Sequence, residues 1–162
     1  MIPGKADILV LGDTWTGPLF AYALRQLNQK CDLWVSEFAA QDALEAVCIG
    51  NGETRDKAGQ IFGEHLARAL WKLSEENKNK AQTLFSELEV PVSHSADAVV
   101  FSSATLAHSL SRGLSPNVFS TLQKIEQTTP FSCRVHLKTQ KGVEVAEAAL
   151  VVVVTESYSL GS

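Results

Sequence analysis

The sequence has 162 residues, a length that predicts one domain with a proper hydrophobic core. Hydrophobic residues make up 45% and charged residues 20%, proportions that are ordinary for a soluble globular protein. The formal net charge is −4 and no basic stripe occurs, so the composition argues against a protein that binds nucleic acid.

The cysteines of the sequence, Cys31, Cys48 and Cys133, are an odd number without a CxxC spacing, which favours reduced thiols in an intracellular protein. Too few apolar residues precede Gly12 for a secretory signal peptide. The longest apolar run, residues 148–154, is far below the roughly 20 residues that cross a bilayer. We therefore expect a cytoplasmic protein with no membrane partner.

Residues 8–37 have the pattern of a strand, a turn, a helix and a second strand. Residues 8–11 form a short apolar run of strand length, and residues 12–17 contain the glycines of a turn. Apolar residues then recur at spacings of three and four, the period of one helical face, at Leu19, Phe20, Ala23, Leu24 and Leu27. Residues 33–35 are a second strand. This order is typical of the βαβ unit that binds dinucleotides.

The turn carries most of the glycine fingerprint of such a unit, G-x-G-x-x-G. Gly12 occupies the first place, where the chain turns off the strand, and Gly17 the third, where the helix packs close to the strand. Thr14 stands at the second place, where a glycine lets the backbone approach the pyrophosphate. Glu37 follows the second strand, where the fingerprint has an acid for the ribose hydroxyls. Trp15 is unusual in this turn: it either fills the space that a cofactor would occupy or anchors a partner.

Residues 38–60 contain a short helical pattern followed by a glycine-rich loop. The apolar spacing predicts a helix over residues 38–47, and the polar, glycine-punctuated residues 50–59 predict a loop. Such a loop can cradle an anion through its N–H groups, with charge added by Arg55 or Lys57, or it can be a solvated connection. Both alternatives are open from the sequence.

The middle of the sequence is predicted to be mainly helical. Apolar residues recur every three or four positions over residues 62–88 and predict an amphipathic helix of up to seven turns, with a break near Asn77. We interpret its apolar stripe as core, with a partner surface as the alternative. A strand over residues 98–101 and helices over residues 104–110 and 118–125 follow.

The last third of the sequence has the alternation of strands. Residues 132–138 and 143–146 alternate around a turn at residues 140–142 and predict an antiparallel hairpin. Residues 150–154 are a continuous apolar run, typical of a strand that is covered on both faces in a parallel sheet. The predicted fold class is α/β, with a Rossmann-like, mostly parallel sheet, flanking helices and a small antiparallel hairpin, in a single dinucleotide-binding-like domain over residues 1–162.

This order of parts resembles the FAD-binding domain of the D-amino-acid oxidase-like flavoprotein family. Four pieces carry the resemblance: the βαβ unit that ends at Glu37, the loop and long helix in residues 54–77, the hairpin in residues 132–147, and the final strand in residues 149–160. The family's loop is of a Ser-Gly-Arg-Asn-Gly-Gly type. Its final strand is followed by Ala-Thr-Gly, where this sequence has Val-Thr-Glu ending at Glu156.

The resemblance implies FAD as the cofactor. It also implies that Glu156 places a negative charge near the diphosphate, which costs on the order of 1–3 kcal/mol at an effective dielectric near 20. The residues that we assign to cofactor binding are Gly12, Asp13, Thr14, Trp15, Gly17, Glu37 and Glu156. We predict no catalytic residue and no metal site, because the histidines show no metal-ligand spacing.

The resemblance leaves two functions open. The family has a substrate-binding sheet between the long helix and the hairpin, and residues 98–131 are too few to form it. The first function is a reduced, non-catalytic domain that acts as an interaction or assembly module. The alternative is a functional FAD-binding part of an amine or amino-acid oxidoreductase that another chain or missing sequence completes. We expect a homodimer or a protein partner, bound through the hairpin in residues 132–147 or through the long helix.

Overall fold

The computed structural model of the chain describes residues 6–12, 15–37, 42–52 and 54–154. The chain divides into two compact units, which we call the first and the second unit. The first unit contains residues 1–42 and 110–162, and the second contains residues 43–109. The expectation of one dinucleotide-binding-like domain over the whole chain stays a prediction.

The described residues form nine strands and four α-helices. In chain order these are β1 (Ala6–Gly12), α1 (Thr16–Gln26), β2 (Cys31–Ser36), β3 (Leu44–Cys48), α2 (Arg55–Phe62), α3 (Glu64–Glu87), β4 (Val92–His94), β5 (Ala98–Ser102), α4 (Ser103–Leu110), β6 (Asn117–Phe119), β7 (Thr121–Thr129), β8 (Ser132–Thr139) and β9 (Gly142–Val154). A 3₁₀ turn, Ile49–Gly52, follows β3. Within the described ranges, no helix has both the length and the apolar character that crossing a membrane requires.

The first unit is built on a six-stranded sheet with the order β6-β2-β1-β9-β8-β7. The strands β6, β2, β1 and β9 are parallel neighbours, whereas β9, β8 and β7 pair antiparallel. The single strand β9 belongs to both parts, because its last residues pair with β1 and the whole strand up to Ala148 pairs with β8. The predicted α/β fold with a mostly parallel sheet and a C-terminal antiparallel hairpin is confirmed.

Strand β1 is buried on both faces. Val10 packs with Ala21 of α1 and Leu33 of β2, so the helix covers one face. Leu9 and Leu11 face the other way and lie in a buried cluster with Trp34, Phe119, Val135, Leu137, Ala146 and Ala148. Truncating a leucine at such a site costs about 2–5 kcal/mol in unfolding free energy. The two clusters therefore fix the position at which β1 ends and α1 begins.

The second unit contains a three-stranded antiparallel sheet with the order β3-β5-β4. The long helix α3 packs on it, and the rings of Phe85 in α3 and Phe101 in β5 lie 4.8 Å apart between centroids. Helix α2 ends and α3 begins at Gly63, whose φ of +80° is readily adopted only by glycine. Helix α3 continues through Asn77, so the break predicted near that residue is wrong.

Two predicted helices are strands. Residues 118–125 contribute to β6 and β7, and β7 pairs along β8. The part of the predicted helix 38–47 that the structure describes enters β3, which pairs with β5 from Leu44 to Cys48, while residues 38–41 lie outside the described residues. Pairing with a distant strand overrides local apolar spacing in both places.

Other differences concern the glycine-rich loop and two apolar runs. Residues 55–59 are helical rather than looped, because the Thr54 hydroxyl accepts a hydrogen bond from the Lys57 N–H and caps α2. The run 150–154 is not covered on both faces, since Leu150 is 53% exposed. The predicted stripe of α3 is only partly core: Phe85 is buried, whereas Leu66, Leu70 and Leu73 are exposed.

Candidate functional site

The junction of β1 and α1 is held by two glycines in close contact. A Cβ atom added to Gly12 would lie 2.6 Å from the Cα of Gly17, and one added to Gly17 would lie 2.6 Å from the Cα of Gly12. Both neighbours are backbone atoms, so neither position accepts a side chain unless the strand and the helix move apart. This is the close helix–strand packing that the dinucleotide fingerprint requires of its glycines.

Helix α1 directs its N-terminus towards the edge where β1 ends. The Trp15 carbonyl accepts the first hydrogen bond of the helix, from the Leu19 N–H at 3.0 Å. The first turn contains no acidic residue, so the positive end of the helix dipole is not neutralised from within. Pro18 is buried in this turn and has no N–H, so the donors for an anion come only from residues before it.

Glu37 follows directly on the last residue of β2 and lies at the same edge. In the parallel pairing of β1 and β2, Gly12 is opposite Val35, and Glu37 is two residues further along. On the other side of β1, Gly12 is opposite Val154, the last described residue of β9. The carboxyl ends of three neighbouring parallel strands therefore meet at the β1–α1 turn, which is where open α/β sheets bind ligands.

Glu37 lines a pocket of about 390 Å³, within the size range of small-molecule sites. Its walls come from the end of β2, the strand β6, the residues that flank it, and the hairpin turn between β8 and β9. The lining residues are Trp34, Glu37, Pro116, Asn117, Val118, Ser120, Thr139, Gln140, Lys141 and Glu144. The pocket thus combines a buried indole, two amides, hydroxyls, two carboxylates and one ammonium group.

Hydrogen bonds hold the hairpin wall of this pocket in place. The Ser120 N–H donates to the Lys138 carbonyl at 2.7 Å, which ties the corner between β6 and β7 to β8. The Thr139 hydroxyl accepts from the Lys141 N–H at 3.1 Å and can donate to the Glu144 Oε1, also at 3.1 Å. The turn is therefore closed by its own threonine, and the Glu144 carboxylate is drawn towards it.

The structure brings some predicted site residues together and leaves others outside its described part. Gly12, Trp15 and Gly17 lie at the β1–α1 junction, and Glu37 lies at the pocket of the neighbouring strand. Three further residues lie outside the described residues, namely Asp13, Thr14 and Glu156. The assignment of all seven to cofactor binding stays a prediction.

The rest of the pocket could not be found from the sequence. Asn117, Thr139 and Lys141 are far from Glu37 along the chain. They line the same pocket only because β6 pairs with β2 and because the turn of the β8–β9 hairpin forms another wall of the pocket. Nothing in their immediate surroundings distinguishes them from ordinary turn and loop residues. The glycine contact, by contrast, is local, and its spacing was sufficient to predict it.

Comparison with known proteins gives a fold but no family. No protein-family model and no curated protein matches the sequence. The p-nitrophenol 4-monooxygenase PnpA from Pseudomonas putida DLL-E4 is a structural neighbour with a TM-score of 0.54 and 12% identity, over 92% of this chain and 40% of that one. The tetracycline destructase Tet(55) has a TM-score of 0.52 and 12% identity, over 96% of this chain and 39% of that one.

The substrate-free form of the rebeccamycin biosynthetic enzyme RebC is a third neighbour, with a TM-score of 0.53 and 12% identity, over 94% of this chain and 33% of that one. This chain thus spans 33–40% of the length of the three proteins. The likeness shows a fold of the flavin-enzyme type. It does not single out the D-amino-acid oxidase-like family that the sequence resembles.

Proposed function

We propose that this chain is a FAD-binding-type domain of the flavin-dependent oxidoreductase class, without a catalytic apparatus of its own. The observation that supports this most is the shared edge of β1 and β2. The glycine contact between Gly12 and Gly17, the N-terminus of α1 and the Glu37 pocket all lie there. These are the parts that hold the diphosphate and the ribose of a dinucleotide.

The described residues fit the ADP half of FAD. The strand–helix contact at Gly12 and Gly17 has the close packing that a diphosphate-binding turn needs, and the N-terminus of α1 favours an anion. Glu37 would accept hydrogen bonds from the ribose hydroxyls, and Asn117 offers an amide to the edge of a base. When bound, FAD supplies the electron-accepting chemistry; the residues named here bind and orient it.

The experiment that tests this proposal is saturation-transfer NMR with ADP, which detects weak binding. We expect saturation transfer to the adenine and ribose protons of ADP. Glu37→Gln should lower the affinity for ADP about ten-fold or more, because a hydrogen bond to a charged group contributes roughly 1.5–3 kcal/mol. Glu87→Gln removes an exposed carboxylate at the end of α3 and should leave the signal unchanged.

Two results would contradict the proposal. One is equal transfer in the wild-type protein and in Glu37→Gln, which would place the nucleotide elsewhere. The other is the absence of transfer both in the wild type and in the variant with Thr14→Gly and Glu156→Gly, which restores the second fingerprint glycine and the glycine of the family's Ala-Thr-Gly.

A second function, the interaction or assembly module, is favoured by exposed apolar side chains on the hairpin. Val143 is 55% exposed and Val145 is 41% exposed, both on β9, and Phe131 at the β7–β8 turn is 82% exposed. Exposed apolar patches often mark contact sites between proteins. Sedimentation at tens of micromolar should show a dimer or a complex that Val143→Lys with Val145→Lys disrupts. Leu27→Lys changes an exposed leucine after α1 and is the control.

A further inference from the structure

The second unit contains a pocket that the nucleotide site does not use. It has a volume of about 310 Å³ and lies between α2, α3 and the 3₁₀ turn that follows β3. Ala58, Ile61 and Phe62 of α2 form one wall, and Leu70 and Leu73 of α3 form the other. All its lining residues belong to the second unit.

The floor of this pocket is a packed contact between the 3₁₀ turn and an indole. Gly50 has a φ of +72°, and a Cβ added to it would lie 2.4 Å from Cζ3 of Trp71, so only glycine lets the turn lie on the ring. The Gly50 N–H donates to the Ser74 hydroxyl at 3.0 Å, and that hydroxyl donates to the Trp71 carbonyl at 2.7 Å. The floor is therefore held by packing and by hydrogen bonds.

The chemistry of the lining restricts what the pocket can take. Among the residues that the structure describes, no charged side chain lines it, and eight of the ten lining residues are apolar or glycine. Of the two polar residues, Ser74 has its hydroxyl engaged in the floor, whereas Asn77 offers its amide. Binding a charged group there would remove its water without providing a counter-charge, so the lining favours an uncharged ligand.

The volume sets the size of that ligand. An engineered cavity of about 150 Å³ lined by leucine, isoleucine and phenylalanine binds benzene. The present pocket has about twice that volume and is open to water on one side, so it has room for two fused rings. Its walls are ready for such a ligand, because the side chains of Ile61, Phe62 and Leu73 are each more than half exposed to water.

We propose that this pocket binds a neutral, two-ring aromatic molecule whose polar substituent meets the amide of Asn77. The rings lie on Trp71 between Phe62 and Leu73, and binding removes the exposed faces of these side chains from water. The proposal concerns the second unit alone and does not depend on the nucleotide site.

Prodan, a neutral naphthalene ketone whose emission shifts to the blue in apolar surroundings, is the probe that tests it. Titration of the full chain should give a saturable blue shift with one site per chain. Phe62→Ala with Leu73→Ala should weaken binding at least ten-fold. Leu66→Ala is the matched control, because Leu66 is on the same helix and 48% exposed, close to the 51% of Leu73, yet does not line the pocket.

Circular dichroism verifies that each variant is folded, and Asn77→Leu provides a second test. It keeps the apolar walls and should lower the affinity for prodan while leaving that for naphthalene unchanged. Equal losses of prodan affinity in Leu66→Ala and in Phe62→Ala with Leu73→Ala would show a non-specific apolar surface and overturn the proposal. A blue shift that disappears as the protein self-associates in sedimentation would assign the pocket to a second copy and overturn it equally.

Discussion

At the scale of single residues, the contact between Gly12 and Gly17 leaves no room for a side chain. We expect Gly17→Ala to lower the unfolding free energy by about 1–3 kcal/mol, the usual cost of overpacking, because the added methyl group meets the Gly12 backbone at 2.6 Å. In a chain of this size that corresponds to a decrease of roughly 2–12 °C in Tm.

Gly59→Ala is the matched control for this prediction. A Cβ on Gly59 would also meet a neighbour at 2.6 Å, but that neighbour is the Oε1 atom of the flexible Glu64 side chain. Alanine also stabilises a helix interior by about 0.8–1 kcal/mol relative to glycine. Thermal unfolding followed by circular dichroism should therefore show a lower Tm for Gly17→Ala and an equal or higher Tm for Gly59→Ala. Equal changes would contradict the packing role of the junction.

The replacement of two glycines of the resembled family, by Thr14 in the fingerprint and by Glu156 after the final strand, leads to a second prediction. Thr14 and Glu156 lie outside the described residues. Val154, the last residue of β9, is paired with Gly12, so β9 ends beside the residue at which β1 ends. Thr14→Gly frees space for the backbone to approach the diphosphate, and Glu156→Gly removes a negative charge that would repel it. We expect the Kd for ADP and FAD to fall by roughly ten- to hundred-fold from weak or undetectable binding, as the electrostatic cost of 1–3 kcal/mol implies.

Calorimetric titration of both proteins with ADP and FAD measures this change. Tight binding by the wild-type protein would show that its turn reaches the phosphates by another route. If neither protein binds, the proposed nucleotide site is contradicted, and replacing Trp15 at the start of α1 would show whether its side chain occupies that space.

The ion cluster on the hairpin leads to a prediction on pH. Glu126 accepts hydrogen bonds from Lys124 and His136, the latter at 3.0 Å, and these contacts hold its pKa below the ordinary value of 4.5. A carboxyl with a lowered pKa in the folded state stabilises that state above pH 4.5, and the contribution is lost as the pH falls through the lowered pKa. The Glu126 side chain is partly exposed, at 33%, so we expect a small effect that salt screens.

Thermal unfolding of Glu126→Gln measures that effect. The variant should have a slightly lower Tm than the wild type at pH 7 and low salt, and the difference should decrease as the pH falls below 4.5 and also in 1 M salt. Glu87→Gln at the end of α3 should show no such dependence. A difference that changes with neither pH nor salt would mean that the glutamate acts through packing rather than through its charge.

At the level of elements, the sequence predicts a helix or strand well where the pattern is local. The β1–α1–β2 unit and the β8–β9 hairpin were predicted because each apolar period persists over a whole element. Strand β7 was missed for a structural reason. Its pairing with β8 shifts register between Leu122 and Lys124, so an extra residue separates Leu122 from Ile125. The resulting spacing of three imitates a helix.

The proposed nucleotide site divides in the same way. Gly12, Gly17 and Glu37 belong to one continuous unit, and their spacing predicts their arrangement. Asn117 and Lys141 reach the pocket through long-range strand pairing, which no short stretch of sequence encodes. The floor of the apolar pocket depends likewise on a turn and a helix that are separated along the chain.

At the scale of the whole molecule, the described elements form the six-stranded sheet of the first unit and the three-stranded sheet of the smaller second unit. Residues 98–131, which would have to contain a substrate-binding sheet of the resembled family, instead form β5, α4, β6 and β7. Of these strands, β5 belongs to the three-stranded sheet, whereas β6 and β7 belong to the six-stranded sheet. The chain also spans only 33–40% of the length of its structural neighbours.

We expect the isolated chain to produce no peroxide from amines or amino acids, even when FAD is added. The pocket at Glu37 has groups for the ADP half of the cofactor, whereas turnover also requires walls that bury a substrate beside the reacting ring. A coupled peroxidase assay with D-alanine, glycine and benzylamine measures this, with a complete amino-acid oxidase as the positive control. Peroxide above the no-enzyme level that Glu37→Ala abolishes would show that this chain alone assembles a working flavin site.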